Sequence, residues 1–275
     1  MSSTLPITPS VAVTEQQRHA YLDFARDAVK SAAPAILSYF RSPLQVENKA
    51  GESGFDPVTL ADREAEQSIR EAINGRFPEH GIFGEEFGYQ EGNGLTWVID
   101  PIDGTRAFMM GQLHWGSLLA LYDGEKPIVG VMYQPFTDEL FSGDGSAAWY
   151  EQGSVQRPLA TSNCQSLDRA SLACTGTAWF SEQQRSKFKA LSAATRLTKF
   201  GGDCYLFGLV AMGHTDLGVE AGLNPYDIQA LIPIIEGAGG CVSTWEGGNP
   251  ALGGQVVAAA TPDLHDQAMA ALNSG

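Results

Sequence analysis

The segment Trp97-Val98-Ile99-Asp100-Pro101-Ile102-Asp103-Gly104-Thr105 carries the densest chemical signal in the chain. A buried strand leads into two carboxylates three residues apart. Pro101 stiffens the turn between them, and Gly104 lets the backbone turn sharply. Hard divalent cations take oxygen ligands from carboxylates and backbone carbonyls alike, and Asp100, the carbonyl of Ile102 and Asp103 could all face one point from such a turn. Gly104 and Thr105 then present N–H groups at a helix start, where phosphate binds readily. Taken alone, the segment also reads as an Asp-rich turn after a strand.

Three further acidic sites stand apart in sequence. Gly84-Glu85-Glu86 places two glutamates on a turn. Asp227 lies in the first turn of an otherwise apolar helix and alone reads as a cap or dipole partner. Asp56 and Asp62 lie six residues apart around another helix start. Lys49 and Arg106 are the basic residues nearest these motifs; each could touch phosphate, pair with the acids or simply face solvent. His80 and His114 are lone histidines, read as structural or surface residues.

The elements that must position these groups follow from periodicity. Thr14 caps a helix running to about Phe40, with Tyr21, Phe24, Ala25, Ala28, Val29, Ala32, Ile36 and Phe40 on one face and Pro34 expected to kink it. A second helix starts at Asp56-Pro57 or at the Thr59/Asp62 capping box and ends at Gly75. It buries Ala61, Ala65, Ile69, Ala72 and Ile73. Strands are expected at 81–86, 95–99, 115–122, 127–134, 139–141 and 147–150, with Asp123-Gly124 as a hairpin signal. Beyond, strands at 171–174, 196–199, 216–219, 241–244 and 255–259 alternate with helices at 181–194, 203–213, 226–238 and from Pro262. This mixture predicts an α+β (mixed α/β) fold of sheets interleaved with helix layers. The expected division is a loose arm over 1–13, an N-terminal half over 14–150 carrying most of the acids, and a C-terminal half over 151–275, with a soft boundary near 143–160.

Composition narrows the partners. The 275 residues are 43% hydrophobic and 18% charged, with a formal net charge of −15. No basic patch is available for nucleic acid or an anionic membrane, and no apolar run reaches the ~18–20 residues of a membrane span. An acidic chain binding an anionic ligand needs a local positive field, which bound metal ions supply. The four cysteines, Cys164, Cys174, Cys204 and Cys241, match no zinc spacing and read as reduced thiols. The N-terminus has no signal-peptide pattern, so a cytoplasmic location is expected.

Together the motifs carry a resemblance. Asp56-Pro-Val-Thr-Leu-Ala-Asp62, Gly84-Glu85-Glu86, Asp100-Pro-Ile-Asp-Gly-Thr105, and Asp227 ahead of Glu236-Gly-Ala-Gly-Gly240 occur in the order and with the spacing of the inositol monophosphatase family. The chain resembles that family over nearly its whole length. The resemblance implies a layered α/β/α/β/α fold and Mg²⁺-dependent hydrolysis of a phosphate monoester. It implies that Glu85, Asp100, the Ile102 carbonyl and Asp103 hold one Mg²⁺, that Asp100, Asp103 and Asp227 share a second, and that Glu85 helps hold a third. Thr105, paired with Asp62, would activate the attacking water together with Glu85, and the Gly104 and Thr105 amides would hold the phosphate. A homodimer and inhibition by lithium are further implications.

Within the family the chain is most similar to the bacterial histidinol-phosphate phosphatase branch. The stretches that carry this are 103–108, 111–121, 127–135, Gly202-Asp203-Cys204-Tyr205 and 225–233. Glu220 sits where the family places a substrate-contacting acid, and Asp203 is a second candidate that also reads as a helix cap. An inositol monophosphatase or broad-specificity sugar or nucleotide phosphatase is the alternative. A catalytically silent regulator that binds a phosphorylated ligand is the third reading, and the intact acidic set speaks against it.

Overall fold

A computed structural model of the chain describes residues 5, 6, 8–43, 46–48 and 57–274. It opens with helix α1 (Glu15–Tyr39), where Thr14 and Gln17 form a reciprocal capping box. Pro34 does not break α1. It lies on the exposed face, while Ala32, Ala33 and Ile36 on the buried side hold the helix down. Helix α2 (Leu60–Arg76) starts at Thr59, not at Asp56-Pro57: Thr59 accepts from the Ala61 amide, and Asp62 accepts from both the amide and the hydroxyl of Thr59. Pro57 belongs instead to a short strand, β2 (Pro57–Thr59), antiparallel to β1 (Val46–Asn48). Asp56 and Lys49 lie outside the described residues.

The larger sheet has eight strands: β3 (Gly81–Gly84), β4 (Gly88–Gln90), β5 (Thr96–Asp103), β6 (Gly116–Tyr122), β7 (Pro127–Gln134), β8 (Glu139–Gly143), β9 (Ala148–Gln152) and β10 (Val155–Pro158). Their order is β10-β9-β8-β7-β6-β5-β3-β4, antiparallel except for the parallel pair β3–β5. The expected hairpin closes β6 onto β7 through residues 123–126, with Asp123 Oδ1 accepting from the amides of Glu125 and Lys126. The smaller sheet comprises β11 (Ser171–Cys174), β12 (Leu197–Phe200), β13 (Leu217–Leu223), β14 (Cys241–Thr244) and β15 (Gly254–Ala259), ordered β12-β11-β13-β15-β14. The remaining helices are α3 (Thr105–Met109), α4 (Glu182–Ala194), α5 (Asp203–Ala211), α6 (Pro225–Ile228), α7 (Leu231–Gly237) and α8 (Pro262–Leu272).

Strand alternation sorts the core into layers. Trp97 and Ile99 of β5 pack with α1 and α2. Val98 points to the other face, into a second core with Leu206 and Phe207 of α5 and Ile234 and Ile235 of α7. The smaller sheet contributes Val256 and Ala258 to that central layer, while its Val219 and Val257 pack with Phe188 of α4 and Leu264 of α8. The result is the α/β/α/β/α layering. No helix among the described residues is long and apolar enough to cross a membrane.

Residues 226–238 form two short helices, because Pro233 offers no N–H to the carbonyl of Gln229 and the break falls at 229–230. The arm expected to be loose is pinned where described: Leu5 is buried, the amides of Thr8 and Val11 donate to the carbonyls of Gly124 and Asp123, and Ser10 donates to the Asp123 carboxylate. The soft boundary at 143–160 falls inside the larger sheet, which includes β9 and β10.

Candidate active site

Two residues three apart on a regular strand face opposite ways. Asp100 and Asp103 escape this because β5 is irregular between them: Asp100 pairs with Leu118 and Asp103 with Gly116, so two residues of β5 oppose Ser117 alone. Ser117 donates to the Pro101 carbonyl at 2.7 Å and the Ile102 amide to Asp100 Oδ1 at 3.1 Å, which fixes the bulge. Gly104 follows at φ +85°, a left-handed conformation that leads into α3. A Cβ there would also lie 3.0 Å from Asp203 Cβ and from the His114 carbonyl oxygen, tight enough that the neighbours would have to give way. The parallel register of β3 on β5 sets Glu85 beside Asp100, with the Glu85 amide donating to the Ile99 carbonyl.

Asp227 arrives from the far side, in α6, and accepts from the Asn224 amide at 2.7 Å. Ligand oxygens of Asp100, Asp103 and Asp227 all lie within 4.8 Å of one another. Among the described residues none of the three has an ion-pair partner. Burial, then repulsion from Glu85, Asp103 and Asp227, pushes Asp100 well above the usual carboxylate range. Burial, Asp227 and Asp203 do the same to Asp103. Asp227 is pushed up to about 7, burial being the main cause.

These acids line a cavity of about 580 Å³. Ile102, Gly104, Thr105 and Arg106 line it as well, and so do Asp203 and Glu220. Asp62 is not on the lining; it is buried at the start of α2, close enough to add to the field on Asp100. The Thr105 hydroxyl donates to the Ile102 carbonyl at 3.2 Å, where a pairing with Asp62 was expected. Arg106 is exposed, and its charge offsets part of the upward shift of Asp203.

The opposite wall belongs to the smaller sheet. Glu220 of β13 is 2% exposed, accepts from the Thr175 amide, and burial pushes it up to about 8. Asp203 is not a helix cap. Gly202 occupies the cap position, and Asp203, at φ +43°, turns its carboxylate to His114 Nδ1 at 2.9 Å. His114, read from the sequence as a structural or surface residue, lines the cavity as the partner of Asp203; nothing in its neighbourhood in sequence signals a partner 89 residues away. His80, by contrast, accepts from the Trp97 indole and stacks on Phe77, a structural residue as expected.

Sequence reasoning also missed Glu66 and Arg70. Glu66 is fully buried and accepts from the amides of Glu86 at 2.7 Å and Phe87 at 3.2 Å and from Arg70 Nε at 2.7 Å. Arg70 donates on to the Gly88 carbonyl. Gly84 has to be glycine, since a Cβ would overlap the Glu66 carboxylate. This clamp sets the turn that carries Glu85. Its signal was present: Asp62, Glu66 and Arg70 recur every four residues, flanking the apolar stripe of α2.

The model of the inositol monophosphatase family matches residues 17–274. A histidinol-phosphatase from Chlorobaculum parvum is 34% identical over 264 residues, covering 92% of this chain and 97% of that protein. An inositol-1-monophosphatase from Synechocystis is 36% identical, covering 82% and 79%. Among solved structures, an inositol monophosphatase from Zymomonas mobilis superposes with a TM-score of 0.82 at 38% identity, covering 92% and 98%. A bulged strand presenting two aspartates, a glutamate on the neighbouring parallel strand and a third aspartate facing them thus occur in a chain that belongs to the inositol monophosphatase family, whose members are phosphatases acting on phosphate monoesters.

Proposed function

We propose that the chain hydrolyses L-histidinol phosphate to L-histidinol and phosphate with Mg²⁺ as its metal. The observation that carries the substrate reading is the acidic wall. Asp203, oriented by His114, and buried Glu220 both face the cavity where the alcohol portion of a substrate must lie. A substrate with an ammonium and an imidazole matches two acids better than a neutral polyol does.

The donor set fits a hard divalent cation: three carboxylates converge, all oxygen donors, and none of them has an ion-pair partner among the described residues. Glu85, Asp100, the Ile102 carbonyl, Asp103 and Asp227 would hold the metal. When bound, it would neutralise the phosphate and lower the pKa of a water at the site. Gly104 and Thr105 line the cavity where α3 opens and would receive the phosphate oxygens through their amides. Thr105 and Glu85 would orient the attacking water and take its proton. Four free cysteines suit the reducing cytoplasm as the place of work.

An inositol monophosphate is the second reading, supported by the similarity to the Synechocystis protein. The test is phosphate release with Mg²⁺, comparing kcat/KM for L-histidinol phosphate, inositol 1-phosphate and a 3′-phosphonucleotide. The expected preference for histidinol phosphate is a hundredfold or more, roughly 2.7 kcal/mol. Comparable rates on all three would replace this reading with a generalist phosphatase.

A further inference from the structure

One large aromatic side chain in the cavity wall belongs to no role described so far. Trp179 sits in the loop between β11 and α4 and lines the cavity with 48% of its surface exposed. Core packing does not account for an indole left that open, since its apolar area gains nothing where it faces water. Yet it is held. Its Nε1–H donates to the Ala221 carbonyl of β13 at 3.1 Å. The next residue, Phe180, is buried and meets Phe188 and Trp245 edge-on at 5.9 and 6.0 Å, and Arg185 donates to the Phe180 carbonyl. The indole is thus tied through its own N–H and through the residue that follows it, so little side-chain freedom remains to be lost when a ligand arrives.

The neighbours of the indole define what it can bind. A Cβ at Gly176 would lie 3.2 Å from the indole benzo edge, and one at Gly222 would lie 3.9 Å from its Cδ1. Two glycines therefore border the ring, and no side chain at either position covers it. Glu220 lies two residues before Gly222 on the same strand and shares the cavity with Asp203. An open aromatic face beside carboxylates is the chemistry that receives a flat cation, by stacking and by attraction of positive charge to the ring.

We propose that Trp179 is a substrate-contacting specificity residue whose indole stacks on a flat, nitrogen-bearing ring in the alcohol portion of the substrate, while Asp203 and Glu220 receive an adjacent ammonium. The imidazole ring rests on the substrate reading above; the demand for a flat ring does not. The phosphate end of the substrate is left to the Gly104–Thr105 side of the cavity, and the leaving alcohol is selected by shape and stacking on the Trp179 side. A polyol offers the indole no flat face and gains only poorly matched contact there.

The experiment compares wild type, Trp179→Ala and Trp179→Phe, with Mg²⁺, on three substrates: L-histidinol phosphate, 2-phenylethyl phosphate and 2-aminoethyl phosphate. The first has a ring and an ammonium, the second a ring alone, the third an ammonium alone. Trp179→Ala is expected to raise KM for both ring-bearing substrates at least tenfold more than for 2-aminoethyl phosphate, about 1.4 kcal/mol of selective binding. The loss should fall on KM rather than kcat, and Trp179→Phe should recover most of it. Equal losses on all three substrates, or a loss in kcat that Phe does not restore, would make Trp179 a structural residue and overturn the proposal. If wild type shows no preference for L-histidinol phosphate over inositol 1-phosphate, the substrate reading fails. The stacking proposal is then decided by 2-phenylethyl phosphate against 2-aminoethyl phosphate.

Discussion

Two buried acidic regions of this molecule differ in how they are neutralised. Glu66, fully buried under the turn at 84–88, receives two backbone amides and the guanidinium of Arg70. Burial pushes its carboxyl upward, but those hydrogen bonds and the Arg70 charge pull back against it. Asp100, Asp103 and Asp227 meet mainly other acids, Glu85 included; among the described residues their hydrogen bonds come from the Ile102, Cys204 and Asn224 amides and from the Cys204 and Asn224 side chains. Glu66 and Asp100 are buried and Asp103 and Asp227 partly so; what separates the two regions is the partner. A carboxylate satisfied by its own chain holds a fold together, whereas carboxylates crowded against each other are arranged for a cation supplied from outside.

If that contrast is right, equivalent substitutions must have opposite effects on stability. Asp103→Asn removes one charge from the repelling set while its amide oxygen can still accept from the Cys204 amide. Turnover with Mg²⁺ should fall on the order of a thousandfold or more, the several kcal/mol that metal-assisted catalysis supplies. In a chelator the same variant should unfold at higher urea, by about 1 kcal/mol. A variant less stable than wild type in the chelator would break the comparison.

Glu66→Ala tests the other side. It leaves Arg70 buried without its carboxylate and strands two amides, so urea denaturation should show a loss of about 3–5 kcal/mol, with or without metal. Glu66→Gln should lose less, because its amide oxygen still accepts from Glu86.

The smallest effect is the pH dependence of the metal-free protein. The folded chain keeps the Asp227 proton up to about pH 7, while the unfolded chain releases it near the ordinary value of 3.8. Between those values the folded state binds more protons, so its stability falls as pH rises. In a chelator the melting temperature should drop on the order of 5 °C from pH 5 to pH 7.5. Excess Mg²⁺ should restore most of it at the upper pH and little at the lower. A melting temperature that rises over this window would contradict the crowded-acid reading.

Much of this was legible in the sequence because local chemistry and final position agree. The Trp97–Thr105 run, the Thr14 cap and the Asp123-Gly124 hairpin each carry their structural instruction within a few residues. What escaped depends on distant or unpatterned partners. β10 is exposed at all four positions and shows no apolar alternation. The break in 226–238 rests on one missing N–H within an apolar run. The contacts of Asp203 with His114 and of Trp179 with Ala221 join segments 89 and 42 residues apart. Asp100 and Asp103 were expected to face one point, but the bulge against Ser117 that brings this about is visible only in the pairing of β5 with β6.

The bulged β5 belongs to the eight-stranded sheet, whereas Asp227 follows directly on β13 of the five-stranded one. A cation gripped by Asp100, Asp103 and Asp227 would therefore be a removable rivet between two sheets that the central helical layer holds apart. Its occupancy would set how firmly the layers are fastened as well as whether the chemistry runs, and the free concentration of a single ion would govern both at once.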